Sequence, residues 1–241
     1  MARQVEVIRV LQSWQEVGEA ILSLQREGLP AHHTAQKNWD HFLLYNVIKR
    51  VERQATIVDL GCGEGYTLAF LHALGFKNIY GVDYRIDQRL GIKRLLTQWR
   101  QKTLKSPYHL LRGDITNTRF QAGSVDVAIS ISTIEHSVDI EGFFAEARRI
   151  LKPGGLLFLT TDYWEEKIAT DSNARAFGLG WKVFCRDQVE NMVETASSLG
   201  LTLVDKPVIP RCSDRTVFWQ NAGYTFIAML FVKEAEACAS R

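Results

Sequence analysis

No two cysteines stand at CxxC spacing. Cys62, Cys185, Cys212 and Cys238 are isolated from one another, which excludes a zinc knuckle and a redox dithiol. An excess of one charge sign is also missing. Lys and Arg number 29 against 27 Asp and Glu, for a formal net charge of +2, so nothing in the balance demands nucleic acid or an anionic membrane. No apolar run approaches the ~20 residues of a membrane span. The segment from Met1 to Pro30 interrupts its apolar residues with Glu and Gln, unlike a secretion signal. Internal repeats and low-complexity tracts are absent as well. The expectation is a cytoplasmic protein with reduced thiols. What is present is an ordinary globular composition, 46% hydrophobic and 23% charged over 241 residues, enough for one large domain, alone or with an extension.

Val10, Trp14, Val17, Ile21 and Leu24 recur at helical spacing before Gly28-Leu29-Pro30, predicting a first helix. A polar joint, Ala31 to Gln36, leads to a second helix from Lys37 to about Arg53. Residues 1–54 therefore read as an N-terminal helical extension to a domain over 55–241. From Ala55 strands and helices alternate. Strands are predicted at Thr56–Leu60, Asn78–Asp83, Tyr108–Arg112, Val125–Ile131, Leu156–Thr161, Leu201–Lys206 and Tyr224–Val232. Helices are predicted at Tyr66–Leu74, Ile86–Leu104, Ile140–Leu151 and Arg186–Leu199. Runs such as Leu156-Leu157-Phe158-Leu159 suit strands covered on both faces of a parallel sheet. Pro207 to Gly223 reads as a loop, which joins antiparallel neighbours more readily than parallel ones. The expected fold class is α/β, a Rossmann-like doubly wound seven-stranded sheet with one reversed strand.

The strongest local signal is Ile57-Val58-Asp59-Leu60-Gly61-Cys62-Gly63-Glu64-Gly65-Tyr66. It leaves a buried strand and opens a helix, the setting in which a glycine turn serves a nucleotide-like ligand. Gly61 and Gly63 let the backbone turn sharply and approach that ligand. Asp83, at the end of the second strand, is placed to bind ribose hydroxyls. A dinucleotide and S-adenosylmethionine both fit this much. The dinucleotide pattern GxGxxG needs a third glycine where Tyr66 stands, and pyrophosphate would sit poorly beside Asp59. S-adenosylmethionine has no phosphate and brings an ammonium, so the turn favours it. Further along, Arg112-Gly113-Asp114-Ile115 places an Asp to meet an adenine amino group with Ile115 beside the ring, and Ser130-Ile131-Ser132 ends the fourth strand.

With Gly81-Val82-Asp83, Gly113-Asp114, Ile134-Glu135-His136 and Leu151-Lys152-Pro153-Gly154-Gly155-Leu156 added to the glycine turn, residues 55–161 resemble the class I S-adenosylmethionine-dependent methyltransferases, especially the small-molecule branch that includes ubiquinone-biosynthesis enzymes. The resemblance implies strand order 3-2-1-4-5-7-6 with strand 7 antiparallel. It implies Asp59, Gly61 and Gly63 at the methionine end, Asp83 with Tyr84 at the ribose, Asp114 and Ile115 at the adenine, and Ser130 nearby. Lys37-Asn38-Trp39-Asp40 resembles the leading segment of bacterial methyltransferases associated with surface glycans. The expected acceptor is a small molecule or a saccharide-type compound.

Methyl transfer to a hydroxyl needs a general base within hydrogen-bond reach. His136 and Glu135, just past the fourth strand, are the candidates, His being matched to proton transfer near neutral pH. Tyr163, Trp164 and Trp39 are placed either to wall an acceptor pocket or simply to pack; Trp181 and Trp219 have no assignment. His32-His33, His41, His72 and His109 show no metal-ligand spacing, and no metal is expected. Lys93, Arg94, Arg100, Lys102 and Lys105 fall on one predicted helix, a solvated face by default. The [DN]PP[YF] motif of base methyltransferases is replaced by Ser130-Ile131-Ser132-Thr133, so nucleic acid is not the expected partner. The alternatives are a non-catalytic S-adenosylmethionine-binding regulator, an RNA methyltransferase and a dinucleotide oxidoreductase.

Overall fold

A computed structural model describes residues 8–86, 107–170, 173–204 and 208–235. The predicted helix after Ile86, with its basic side chains, and Cys238 lie outside them. The chain starts with β1 (Ile8–Val10), α1 (Trp14–Arg26) and α2 (Lys37–Ile48), followed by β2 (Thr56–Leu60), α3 (Tyr66–Ala73) and β3 (Asn78–Asp83). Then come β4 (His109–Arg112), β5 (Val125–Ile131), α4 (Ile140–Ile150) and β6 (Leu151–Tyr163). The remainder is β7 (Arg175–Ala176), β8 (Leu179–Gly180), α5 (Arg186–Ser198), β9 (Leu201–Leu203), β10 (Val217–Trp219) and β11 (Ala222–Lys233).

The sheet runs β4-β3-β2-β5-β6-β11. The first five strands are parallel, and β11 is antiparallel to β6 and to β9 beyond it. That is the expected order with the expected reversed strand. Successive residues of β2 point to opposite faces, and both faces are buried. Ile57 joins a cluster with Leu24, Trp39, Leu44, Phe70 and Phe158. Val58 joins one with Phe143, Phe144, Leu157 and Phe231 on the other side. The N-terminal helices thus share a core with the sheet. Truncating a fully enclosed aromatic such as Trp39 would cost roughly 3–5 kcal/mol.

Three local expectations are corrected and one hairpin is added. Val10, at the start of the predicted first helix, lies in β1, which pairs with Ile227–Met229 of β11. The supposed loop before β11 contains β10, joined to β11 through Gln220 and Asn221, both at positive φ. Leu151–Gly155, between the predicted helix and the predicted strand at Leu156, is itself a strand segment in which Gly154 has φ +76 and the register against β5 shifts between Val125 and Val127. The β7–β8 hairpin, turning through Phe177 and Gly178 at φ +56 and +82, was not anticipated. Cys62, Cys185 and Cys212 are buried.

Candidate active site

The carboxyl ends of β2, β3, β5 and β6 meet at one edge, the position where open α/β sheets bind ligands. Gly61 and Cys62 both donate backbone hydrogen bonds to the Val82 carbonyl, at 2.8 and 3.2 Å, which ties the glycine turn to the end of β3. Gly61 has φ +89, and a Cβ there would collide with the Thr133 side chain. Gly63 differs. At φ +46 its missing Cβ would meet no heavy atom within 4 Å, so its backbone faces open space.

Two carboxylates flank that space. Asp83 Oδ2 accepts from the Gly63 N–H at 3.0 Å, and its Oδ1 accepts from the Arg85 N–H at 2.7 Å. Asp59 is buried, and burial together with the nearby Asp83 charge pushes its carboxyl up to about 8. No Lys or Arg pairs with Asp59 among the described residues. A ligand that brought an ammonium would relieve this carboxyl. An open glycine cradle beside a buried, uncompensated carboxyl fits S-adenosylmethionine.

The other expected cofactor residues are placed less directly. Asp114 Oδ1 accepts from the Thr116 N–H and Oγ1–H, each at 2.8 Å, and holds a local turn. Ile115 packs against the cluster that includes Val82 and Leu60. Ser130 is buried, and its hydroxyl donates to the Leu60 carbonyl at 2.9 Å, bracing β5 on β2. Tyr84 reaches across the edge and donates its hydroxyl to the Phe177 carbonyl at 2.8 Å.

Past β5, Glu135 is buried and accepts from Thr161 Oγ1 at 2.9 Å. Burial raises its carboxyl to about 7 against the lowering effect of Lys37. His136 is held below its ordinary value by burial, although Asp162 pulls the other way. Asp162, raised to about 7 first by burial and then by Glu135, accepts from Trp181 Nε1 at 2.8 Å.

Lys37 enters this group from α2. Its ammonium contacts Ser132 Oγ, lies 3.3 Å from Asp40 Oδ2 and sits 3.5 Å from the Phe226 ring centroid. Asp40 is fully buried, and neither of its oxygens has a hydrogen-bond partner. Burial raises its carboxyl, with Lys37 opposing. One ammonium thus serves three enclosed carboxyls. Lys37 and Asp40 lie in the Lys37-Asn38-Trp39-Asp40 segment, but their place beside Glu135 could not be read from it. Asp162 had a readable signal, as an acidic residue near the end of a strand that carries the apolar run Leu156-Leu157-Phe158-Leu159.

The aromatic candidates divide. Trp39 is a core residue whose Nε1 donates to Glu16 Oε2 at 3.0 Å, and Tyr163 is fully buried. Trp181 meets Trp219 and Tyr224 edge-on or tilted, at 4.6 and 5.5 Å, close to Asp162. His32 and His33 stack on each other and against Tyr66. Among the described residues no His, Cys, Asp and Glu cluster could hold a metal ion, and no helix is long and apolar enough to cross a membrane.

Sheet order, reversed strand and glycine turn together define a Rossmann-like methyltransferase fold. Residues 58–159 match the family described as "Methyltransferase domain". It is similar to the sterol 24-C-methyltransferase erg6 of Aspergillus fumigatus, 24% identical over 180 residues, which are 72% of this chain and 44% of that protein. The chain therefore spans less than half of that curated relative. Among solved structures it is similar to geranyl diphosphate C-methyltransferase from Streptomyces coelicolor, with TM-score 0.60 and 17% identity over 87% of this chain and 86% of the other. It is also similar to a Burkholderia thailandensis 1,6-didemethyltoxoflavin-N1-methyltransferase, with TM-score 0.57 and 16% identity over 93% and 92%. At such identities the structural likeness concerns the fold.

Proposed function

We propose that the protein transfers a methyl group from S-adenosylmethionine to a small-molecule acceptor. The observation that carries this reading is the open Gly63 backbone, bonded to Asp83, which lies near enough to the buried Asp59 to raise its carboxyl. S-adenosylmethionine, when bound, supplies a methyl group on a positively charged sulfur with a neutral leaving group. Asp59 would hold the ammonium, Asp83 the ribose hydroxyls, and Asp114 with Ile115 the adenine. The fixed framework of β2, β3 and β5 aligns donor and acceptor, which supplies much of the rate in such a displacement.

Glu135 and His136 would take the proton from a hydroxyl acceptor. Glu135, raised to about 7 by burial, is balanced between its two forms near neutrality, where a general base is most effective. His136, held low, is neutral and has a basic nitrogen. The polar side chains between β5 and β6 favour a hydroxylated, saccharide-type acceptor over an apolar one.

The test is calorimetric binding of S-adenosylhomocysteine, with NAD as control and Asp83→Ala beside the wild type. Micromolar binding that is lost in the variant supports the reading; a preference for NAD, or no binding of the homocysteine, overturns it. Binding without turnover on any acceptor would leave a non-catalytic binding protein.

A further inference from the structure

Behind the β7–β8 hairpin lies a cavity of about 190 Å³ whose lining includes Glu135, Arg175, Trp181 and Lys182. The Lys182 N–H donates to the Glu135 carbonyl at 3.1 Å, so these two walls are fixed relative to one another. Glu135 brings a carboxyl that Thr161 already orients. Lys182 brings a half-buried ammonium 4.4 Å from the Phe184 ring centroid. No carboxylate pairs with it among the described residues, and burial alone lowers its proton affinity. An ammonium drawn out of water without a counter-ion is destabilising unless a ligand supplies the opposite charge. Arg175, on β7, also lines the cavity and donates from Nη1 to the Ala174 carbonyl at 3.1 Å. The Lys182 ammonium suits a carboxylate or a phosphate.

We infer that this cavity is the acceptor subsite, and that the acceptor carries an anionic group which meets Lys182 while its hydroxyl lies toward Glu135. The inference rests on the methyl-transfer reading and adds to it the charge of the substrate. Trp181 provides a flat apolar wall suited to the face of a ring.

The experiment loads the intact protein with S-adenosylhomocysteine and titrates it calorimetrically with glucuronate, inorganic phosphate and, as neutral control, methyl glucoside. Saturable binding of glucuronate or phosphate is expected, with none of the glycoside. The arm that binds distinguishes a carboxylate from a phosphoryl group. In Lys182→Gln that binding should weaken about tenfold or more, with S-adenosylhomocysteine affinity unchanged as evidence that the variant is folded. In Lys49→Gln, on the far end of α2, it should not change. The subsite is overturned if neither anion binds the loaded protein, if Lys182→Gln binds them equally well, or if the glycoside binds as tightly as the anions. Failure of S-adenosylhomocysteine itself to bind strikes the methyl-transfer reading instead, so the two failures are distinguishable.

Discussion

The Tyr84 hydroxyl donates to the Phe177 carbonyl at 2.8 Å, joining the end of β3 to the tip of the β7–β8 hairpin. The Phe177 ring in turn meets His136 edge-on, with centroids 5.5 Å apart, and Gly180 packs so closely on Ser137 that a Cβ would collide with its Oγ. The hairpin is thereby strapped across the edge that holds both carboxylates of the cofactor site. Tyr84→Phe removes one hydrogen bond, a loss of about 1 kcal/mol. Stopped-flow release of S-adenosylhomocysteine should then be several-fold faster; an unchanged rate would mean that the strap does not gate the site.

Asp83→Ala removes the acceptor for two backbone N–H groups as well as the candidate ribose ligand. The affinity for S-adenosylhomocysteine should fall by about 2 kcal/mol or more, read by calorimetry. Unchanged affinity would displace the ribose from this position.

Gly61→Ala and Gly63→Ala should fail differently. The first forces a side chain into Thr133 at a positive φ and should lower the melting temperature markedly. The second meets open space and carries only the left-handed backbone strain of about 1 kcal/mol. It should stay folded and lose cofactor affinity, because its methyl group points where the ligand belongs. Equal stability losses in thermal melts would contradict the open cradle.

Asp59 links binding to stability. Its carboxyl is raised to about 8 in the folded protein, so the folded state holds its proton more tightly than the unfolded chain does. The stability it contributes is fully present below its ordinary value near 3.8 and is lost as pH rises toward 8. Asp59→Asn should therefore stabilise the ligand-free protein increasingly as pH rises from 4 toward 8 and hardly at all near pH 4, while cofactor affinity falls. A stability difference independent of pH would refute the raised carboxyl.

The base can be identified from a pH–rate profile once an acceptor is in hand. Glu135 faces Lys37 and Asp40 from α2 and lies near Asp162 of β6. If it is the base, the rate should rise with pH through about 7, and Glu135→Gln should abolish that limb. A limb below 6.5 that survives Glu135→Gln but not His136→Ala would assign the role to His136, whose imidazole is held under that value.

The parallel strands were legible because burial on both faces leaves long apolar runs such as Leu156–Leu159, and the reversed final strand because no helical pattern fills Pro207 to Gly223. The glycine turn was legible because only glycine fits where Gly61 lies under Thr133. Strands β1 and β10 were not, because three residues are too few to show a period of two, and Val10 also fitted the helical spacing. The β7–β8 hairpin was hidden because it turns on Phe177, a residue that seldom adopts positive φ. The enclosed carboxyls were only partly visible. Glu135 follows a recognisable strand end, but Asp40 comes from α2 and Asp162 from β6, and only the packing of α2 over the sheet edge brings them under Lys37.

The pairing of Ile8 with Met229 bears on how the chain is made. The earliest described strand and the last lie side by side, so β1 emerges from the ribosome long before its partner exists. β9 waits in the same way, since among the described residues it too pairs only with β11. Contacts so distant along the chain form slowly. Until β11 slots in beside β6, the apolar edge of β6 has no cover. The final strand is the keystone of the sheet, and a nascent chain lacking it should depend on chaperones far more than one in which it is complete.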